Sequence, residues 1–471
     1  MRRSILCGSG LFWRLFETRR EPQACPCFGE GEARGILLKS MLIKPCKAIH
    51  GTIELPGDKS ISHRAAILSS LAKGRTEIRR FLFSDDCLVT LNALKAMGVG
   101  AKTFKRGHRV IIDSCGVLRP PRHALDMKES GTSARMLMGL LAGQRFVSRL
   151  TGAPSLLRRP MARVIKPLSL MGAGIRARHR GGKDYLPVLI RPSVLHGICW
   201  KQEVASAQVK SALLLAGLFA QGETCVHEAV TTRDHTERML RFFGADLRMS
   251  GGDIMVKGRG LTSPGLVIVP GDISSAAFFI VAALVVKGSC LLIKRVGVNP
   301  TRTGAIRVLQ RMGGCIRLIS GQKGYEPVAD LDIRSSRLGG TRIRSAEIPS
   351  LIDELPVLMV AASLAEGRTV IEGAGELRVK ETDRIRSMSW NLKKAGVKID
   401  TKVTAGREDI VITGSGGIKG AHFRSFGDHR TAMSMYVAAL AASGVSSLDD
   451  PACVGKSFPE YFSAFKHLIV R

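Results

Sequence analysis

The stretch Pro56-Gly57-Asp58-Lys59-Ser60-Ile61-Ser62-His63-Arg64 sets two cations at the mouth of an apolar helix-forming run, Ala65–Ala72. Pro and Gly end the strand-like Gly51–Leu55, and Asp and Ser suit a helix N-cap. A helix start presents free backbone N–H groups and a positive dipole end, so it attracts anions. Lys59 and Arg64 oppose that dipole rather than complement it, which points to an anionic ligand. A second turn, Pro270-Gly271-Asp272-Ile273-Ser274-Ser275, opens another apolar run but lacks both cations. Each copy reaches a Lys-Gly pair at the same distance, Lys73-Gly74 and Lys287-Gly288. This reads as an internal duplication with an offset of 214 residues, from position 56 to position 270.

Other helix mouths are similarly polar. Ser130-Gly131-Thr132-Ser133-Ala134-Arg135 and Ser206-Ala207-Gln208-Val209-Lys210-Ser211 each open an apolar run, and Arg158-Arg159-Pro160 with Arg163 lies between them. In Thr232-Arg233-Asp234-His235-Thr236-Glu237, Asp234 and Glu237 read as a capping box. Acids enter later, in Ile352-Asp353-Glu354-Leu355-Pro356. The run from Glu376 to Arg384 alternates charge as an exposed, salt-bridged helix would. Gly427-Asp428-His429-Arg430 and Gly455-Lys456-Ser457 add cations. Singly, each is satisfied by a capped core helix or a solvated charge. Together, Lys59, Arg64, Arg159, Arg384, Arg430 and Lys456 with few carboxylates fit two anionic substrates and an acid/base pair.

These residues need a scaffold that brings distant helix mouths together. A pattern recurs after Met41: an apolar helix ending in Gly, a β-branched strand, a polar loop and a second helix. Gly74, Gly143, Gly222, Gly288, Gly367 and Gly444 mark six such units and are expected at the helix C′ position. Units of this size cannot each close a core, so they must pack together, three to a half. The two Pro-Gly-Asp turns are the crossover points. The expected division is residues 41–57 plus 272–471 as one globular domain, with residues 58–271 as a second domain inserted in it. The active site then lies in the cleft where helix starts of both halves converge.

With 471 residues and 45% hydrophobic content, the chain has ample material for two such cores. The longest apolar run, Ile273–Val286, is too short to span a bilayer. Eleven scattered Cys without a Cys-x-x-Cys pair indicate neither a zinc site nor a disulfide framework, and suit a cytoplasmic location. A net charge of +32 invites a nucleic-acid reading, but the basic residues are dispersed, aromatics are only 5%, and no nucleic-acid motif appears. Such a charge would also steer small anions inward. Residues 1–40 lack periodicity and are expected to be a dispensable, disordered lead segment, with a normal strand starting at Met41.

In order along the chain, Leu-Pro-Gly-Asp-Lys-Ser-Ile-Ser-His-Arg, Ser-Gly-Thr with Arg135, Arg159-Pro160, Ser-Ala-Gln-Val-Lys, Arg-Asp-His-Thr-Glu, Arg-Val-Lys-Glu-Thr-Asp-Arg, Asp-His-Arg and Lys-Ser-Phe-Pro closely resemble the EPSP synthase (3-phosphoshikimate 1-carboxyvinyltransferase) family of enolpyruvyl transferases. Two of the motifs look more like its divergent second class. The resemblance runs from about Met41 to Phe462. It implies an α/β fold, a two-domain inside-out α/β barrel of six βαβαββ units, three per domain. It also implies transfer of the enolpyruvyl group of phosphoenolpyruvate to the 5-hydroxyl of shikimate 3-phosphate, with no metal and no cofactor, in a monomer that needs neither nucleic acid nor membrane. By the same resemblance, Lys59, Gly131, Arg159, Gln208, Arg384, Arg430 and Lys456 bind phosphoenolpyruvate. Lys59, Ser60, Arg64, Ser206, Gln208, Arg233, Asp353 and Lys380 bind shikimate 3-phosphate, and Lys59, Asp353 and Glu381 carry the catalysis. Glu129 departs from the family's usual Asn and is expected to pair with Arg159 or to point away. The sister enzyme acting on UDP-N-acetylglucosamine carries a Cys in the loop that here holds Arg159, and no Cys lies between Arg135 and Arg163.

Overall fold

The computed structural model describes residues 40–319, 321, 324–404 and 406–470. Apart from Ser40, the expected lead segment lies outside them. Six helices form the inner layer: α1 (Lys59–Leu71), α2 (Gly131–Ala142), α3 (Ala207–Gly217), α4 (Ile273–Val285), α5 (Leu355–Leu364) and α6 (His429–Leu440). Each is buried on nearly every face; α4 and α5 are apolar almost all round, whereas α1 and α6 also bury Ser, His and Arg side chains. Five of the six starts are fixed by a short polar side chain, Asp58, Ser130, Ser206, Asp272 or Asp428; α5 has none. Asp58 accepts from the Ile61 N–H at 2.9 Å, Ser130 from Ser133 at 3.2 Å and Asp272 from Ser274 at 2.8 Å.

Six sheets surround these helices among the described residues, three formed within residues 72–268 and three from the rest. Five share one pattern, in which a strand pairs in parallel with the strand that follows the inner helix and two antiparallel strands complete the sheet. Arg342–Ile343 lies parallel to Glu366–Ile371, which pairs antiparallel with Arg407–Ser415, which pairs with Lys398–Thr404. Strand alternation sets the inward face: Ala329, Leu331 and Ile333 are buried along Val328–Arg334. One sheet draws on both ends of the described chain. Ala48–Glu54 runs parallel to Cys290–Gly297 on one side and antiparallel to Ile469–Val470 on the other.

Buried apolar side chains fall into two clusters. One contains residues from Ile61 to Val269, and the other contains Ile43, Ile49 and Leu55 with residues from Ile273 to Leu468. Each fully buried Leu, Ile or Phe contributes about 1.5–3 kcal/mol relative to exposure, so each cluster is a substantial core. The material around each cluster is called a lobe below.

The chain passes between the clusters at the two Pro-Gly-Asp turns, which clasp each other. The Asp58 N–H donates to Pro270 O at 2.8 Å, and the Asp272 N–H donates to Pro56 O at 3.1 Å. Gly57 is required here because a Cβ at that position would lie 1.9 Å from Arg80 O. Arg302, only 2% exposed, is held against the same place. Its guanidinium meets Asp58 at 3.2 Å, Ser274 at 2.7 Å, Asp272 at 3.7 Å, Glu354 at 3.8 Å and His235 Nε2 at 3.1 Å. Arg can only donate, so His235 Nε2 accepts and its Nδ1–H donates to Glu326 at 2.6 Å.

Three local expectations are corrected. Gly74 and Gly367 do have positive φ, but they lie inside strands Ala72–Arg79 and Glu366–Ile371 rather than at helix C′ positions. The chain leaves α1 through an extended Ala72, so the turn out of the helix needs no left-handed residue there. Gly143 is itself the C-cap of α2, with φ −86, and Gly222, Gly288 and Gly444 lie two or more residues beyond the caps Leu218, Val286 and Ala441, so none of the six sits at C′. The capping box of Asp234 and Glu237 does not form. Asp234 instead engages Asn299 at 2.6 Å and Arg238 at 2.8 Å, while buried Glu237 takes Lys210 at 2.6 Å. The charged run before Arg384 is not one exposed helix. It is a 3-10 segment, Ala374–Val379, then a turn, then a helix, Arg384–Lys394, whose first residue is buried.

Candidate active site

The starts of all six inner helices, or residues within two positions of them, line one cavity of 320 Å³. Lys59 and Ser60 come from α1, Gly131 and Thr132 from α2, and Ser206 and Gln208 from α3. Asp272 and Ser274 come from α4, Asp353 from the approach to α5, and His429 and Arg430 from α6. Six positive dipole ends therefore face one volume, before any side-chain charge is counted. The wall carries nine Lys or Arg and five Asp or Glu side chains, a balance of +4.

The structure brings together thirteen of the fourteen expected site residues. Lys59, Ser60, Arg64, Gly131, Arg159, Ser206, Gln208, Arg233, Asp353, Lys380, Glu381, Arg384 and Arg430 all line the cavity. Lys456 does not. Its Nζ sits at the rim, 2.5 Å from Glu129 Oε2 and 3.0 Å from Gly427 O. Glu129 thus pairs with Lys456 rather than with Arg159.

Around Asp353 and Glu381 the geometry is dense. Asp353 is paired with Arg233 and has Arg384 at 3.6 Å and Arg430 at 3.7 Å, while its carbonyl accepts from Arg430 at 2.7 Å. Glu381 accepts from Arg384 at 2.6 Å and lies 3.5 Å from Arg159. Burial pushes both carboxyls up, but the surrounding cations outweigh it and hold both well below the usual carboxylate range. Both are therefore ionised in the free protein. Lys59 Nζ is held by Asp86 at 3.0 Å. Burial lowers its pKa, but Asp86 and Glu381 outweigh this and leave the ammonium more basic than usual. Lys380 is shifted down, mainly by burial, with Asp353 opposing. Burial likewise brings Arg64 down to about 10.

Supporting contacts fix these groups. Arg64 donates to Thr236 at 2.6 Å, Ser60 O at 2.9 Å and Ser211 at 2.7 Å. Gln208 joins α3 to α2, donating to Thr132 at 2.9 Å and accepting from Arg135 at 2.9 Å. As the first residue of α2, Gly131 offers one of the N–H groups without an intrahelical acceptor, and a Cβ there would lie 2.8 Å from the guanidinium nitrogens of both Arg135 and Arg159.

Several cavity groups lack a hydrogen bond. Arg384 Nη1, Arg159 Nε and both ring nitrogens of His429 are buried without a hydrogen bond. Unsatisfied buried cationic N–H groups are costly, and they mark positions where an incoming anion completes the bonding. His429, Asp86 and Arg302 were missed by sequence reasoning. His429 stood in plain view within Asp-His-Arg. Asp86 resembles an ordinary acid in a helix first turn, and Arg302 lies in an unremarked turn segment.

Among the described residues no helix is long and apolar enough to cross a membrane. The family model for EPSP synthase (3-phosphoshikimate 1-carboxyvinyltransferase) matches residues 43–465. Curated relatives bearing the name 3-phosphoshikimate 1-carboxyvinyltransferase include that of Geotalea uraniireducens, 51% identical over 434 residues, covering 92% of this chain and 100% of the relative. That of Geobacter metallireducens is 49% identical over 435 residues, with the same two coverages. Among solved structures, EPSP synthase from Acinetobacter baumannii superposes with a TM-score of 0.80 at 42% identity, covering 92% of this chain and 98% of that one. The enolpyruvyl transferase NikO from Streptomyces tendae, at 17% identity and a TM-score of 0.72 over 91% of this chain and 97% of its own, shares the fold.

Proposed function

The chain belongs to the EPSP synthase family, and from that premise we propose how its cleft performs the family's reaction. The enzyme transfers the enolpyruvyl group of phosphoenolpyruvate to the 5-hydroxyl of shikimate 3-phosphate, releasing phosphate, on the route to chorismate and the aromatic amino acids. Each substrate brings a phosphate of about −1.5 to −2 and a carboxylate. The observation that carries the assignment of residues is the cavity balance of +4 beneath six helix starts. That field offsets most of the mutual repulsion of two such anions. Gly131, Arg159, Arg384 and Arg430, with Lys59, hold phosphoenolpyruvate, and Lys456 joins them at the rim. Ser60, Arg64, Ser206, Arg233 and Lys380 hold shikimate 3-phosphate, and Gln208 spans the two.

The chemistry is addition then elimination through a tetrahedral ketal. In addition, a base takes the 5-hydroxyl proton and an acid gives a proton to the methylene carbon. In elimination, phosphate leaves as the methyl carbon returns a proton. Asp353, beside Arg233, suits the hydroxyl, and Glu381, among Arg159, Arg384 and Lys59, suits the methylene carbon. Since the cations keep both acids ionised in the free protein, anionic substrates that draw those cations away raise the carboxyl pKa values and promote proton uptake. Lys59, kept protonated by Asp86 and Glu381, stabilises the developing charge on phosphate.

We further propose that residues 41–57 plus 272–471 and residues 58–271 act as two domains that close on the substrates, a reading supported by the two separate apolar cores. Scattered thiols support a cytoplasmic enzyme, and we infer a monomer. Phosphate release from purified protein with phosphoenolpyruvate and shikimate 3-phosphate, run beside UDP-N-acetylglucosamine, tests the assignment. Release with the shikimate only is expected, and release with the nucleotide sugar only refutes it.

A further inference from the structure

The ion pair between Glu129 and Lys456 joins the two lobes at the rim of the cleft. Glu129 is two residues before Gly131, on a turn fixed by the Ser130 N–H to Met127 O at 2.9 Å and the Ala153 N–H to Lys128 O at 2.7 Å. Its Oε2 lies 2.5 Å from Lys456 Nζ, and its Oε1 accepts from Ser155 Oγ at 3.0 Å. The carboxylate is thus anchored at both oxygens. Lys456 ends a 3-10 segment of the other lobe, Pro451–Lys456, and its remaining contact is Gly427 O, immediately before Asp428-His429-Arg430. Arg159, 3.5 Å from Glu381, spans the same cleft. The ammonium, which rests on the backbone just before the helix start that bears Arg430, is therefore already paired with a carboxylate of the protein. A carboxylate or a phosphate of the substrate presents the same chemistry to that ammonium.

We propose that Glu129 is a specificity-determining residue that competes with phosphoenolpyruvate for Lys456. In the free enzyme Glu129 occupies the ammonium, and the substrate's anionic group takes its place only when the pair separates. This rests on the reading of Lys456 as a phosphoenolpyruvate-binding residue. The side chains are 38% and 27% exposed, and an ion pair this open to water shifts an equilibrium by roughly two- to fivefold. The effect falls on phosphoenolpyruvate and its anionic analogues, not on shikimate 3-phosphate.

The test is steady-state kinetics with each substrate varied, on the parent enzyme, Glu129→Gln, Lys456→Gln and the double variant, with Glu129→Asn as a second replacement should Gln fold poorly. Removing the Glu129 charge lowers KM for phosphoenolpyruvate about threefold, or ~0.7 kcal/mol at 1.4 kcal/mol per tenfold, and leaves KM for shikimate 3-phosphate in place. Lys456→Gln raises KM for phosphoenolpyruvate, and adding Glu129→Gln to it changes nothing further. If Lys456→Gln raises that KM but the Glu129 variants leave it unchanged or raise it, the competition is overturned and the reading of Lys456 stands. If Lys456→Gln leaves KM unchanged, that reading fails and the proposal fails with it.

Discussion

Replacing Glu381 by Gln separates chemistry from binding in this cleft. The substitution keeps the side-chain shape and an amide oxygen that can still accept from Arg384, now 2.6 Å from the carboxylate. Arg384 also keeps Asp428 at 2.9 Å, so its position is not lost. The side chain of Glu381 is 32% exposed, and the stability cost is expected to be under about 1 kcal/mol. Catalysis should respond very differently. A positioned acid or base contributes about 10²–10⁴ in rate, which is about 2.7–5.4 kcal/mol at 1.36 kcal/mol per tenfold. The expected kcat is therefore at least a hundredfold lower. Removing one negative charge from among Lys59, Arg159 and Arg384 makes the site more attractive to anions, so KM for phosphoenolpyruvate holds or falls. Phosphate release at saturating shikimate 3-phosphate, with thermal unfolding measured alongside, reads all three quantities. A raised KM with kcat within threefold of the parent would refute the reasoning and make Glu381 a prop for Arg384 instead.

Asp353→Ala is expected to lower kcat at least a hundredfold in a folded enzyme, checked by the same assay with circular dichroism; near-normal turnover removes Asp353 from the mechanism. Arg302→Met leaves Asp58, Asp272 and Glu354 near one another without their cation and is expected to cost about 3–5 kcal/mol in urea unfolding; a loss below about 1 kcal/mol would show that those carboxylates are satisfied without it. Glu326 faces His235, Asn299, Asp234, Arg238 and Asp58, and burial carries its carboxyl up to about 8. The native state thus keeps a proton that the unfolded chain releases, so this group's contribution to stability falls as pH rises from about 5 to 8. Unfolding free energies across that range should show the slope, and Glu326→Gln should flatten it.

Much of the site was legible because helix mouths have a local grammar. Asp58, Ser130, Ser206 and Asp272 announce their helices through the next three residues, and an anomalous cation beside such a cap suggests a ligand. Arg302 could not be read this way. It meets Asp58 across 244 positions, and its own neighbourhood, Asn299-Pro300-Thr301, describes only a turn. Asp86 suits a helix dipole equally well whether or not it holds Lys59. The pairing of Glu129 with Lys456 depends on how two lobes face each other, which no spacing along the chain encodes. The six glycines were informative about rhythm rather than role. Five carry the positive φ that a glycine permits, but in Gly74 and Gly367 the fold places it in the opening turns of strands.

The sheet that seats Ala48–Glu54 between Cys290–Gly297 and Ile469–Val470 has a consequence for biosynthesis. A chain emerging from the ribosome delivers residues 61–269, a contiguous core, before most of the other lobe exists. The early strand must then wait, tethered and without a partner, until Cys290–Gly297 emerges, and its other edge stays open until Ile469–Val470 arrives. The lobe bearing Asp353 and Glu381 is therefore the last to be finished, and the cations of the first-made lobe stand ready before the acids they will face.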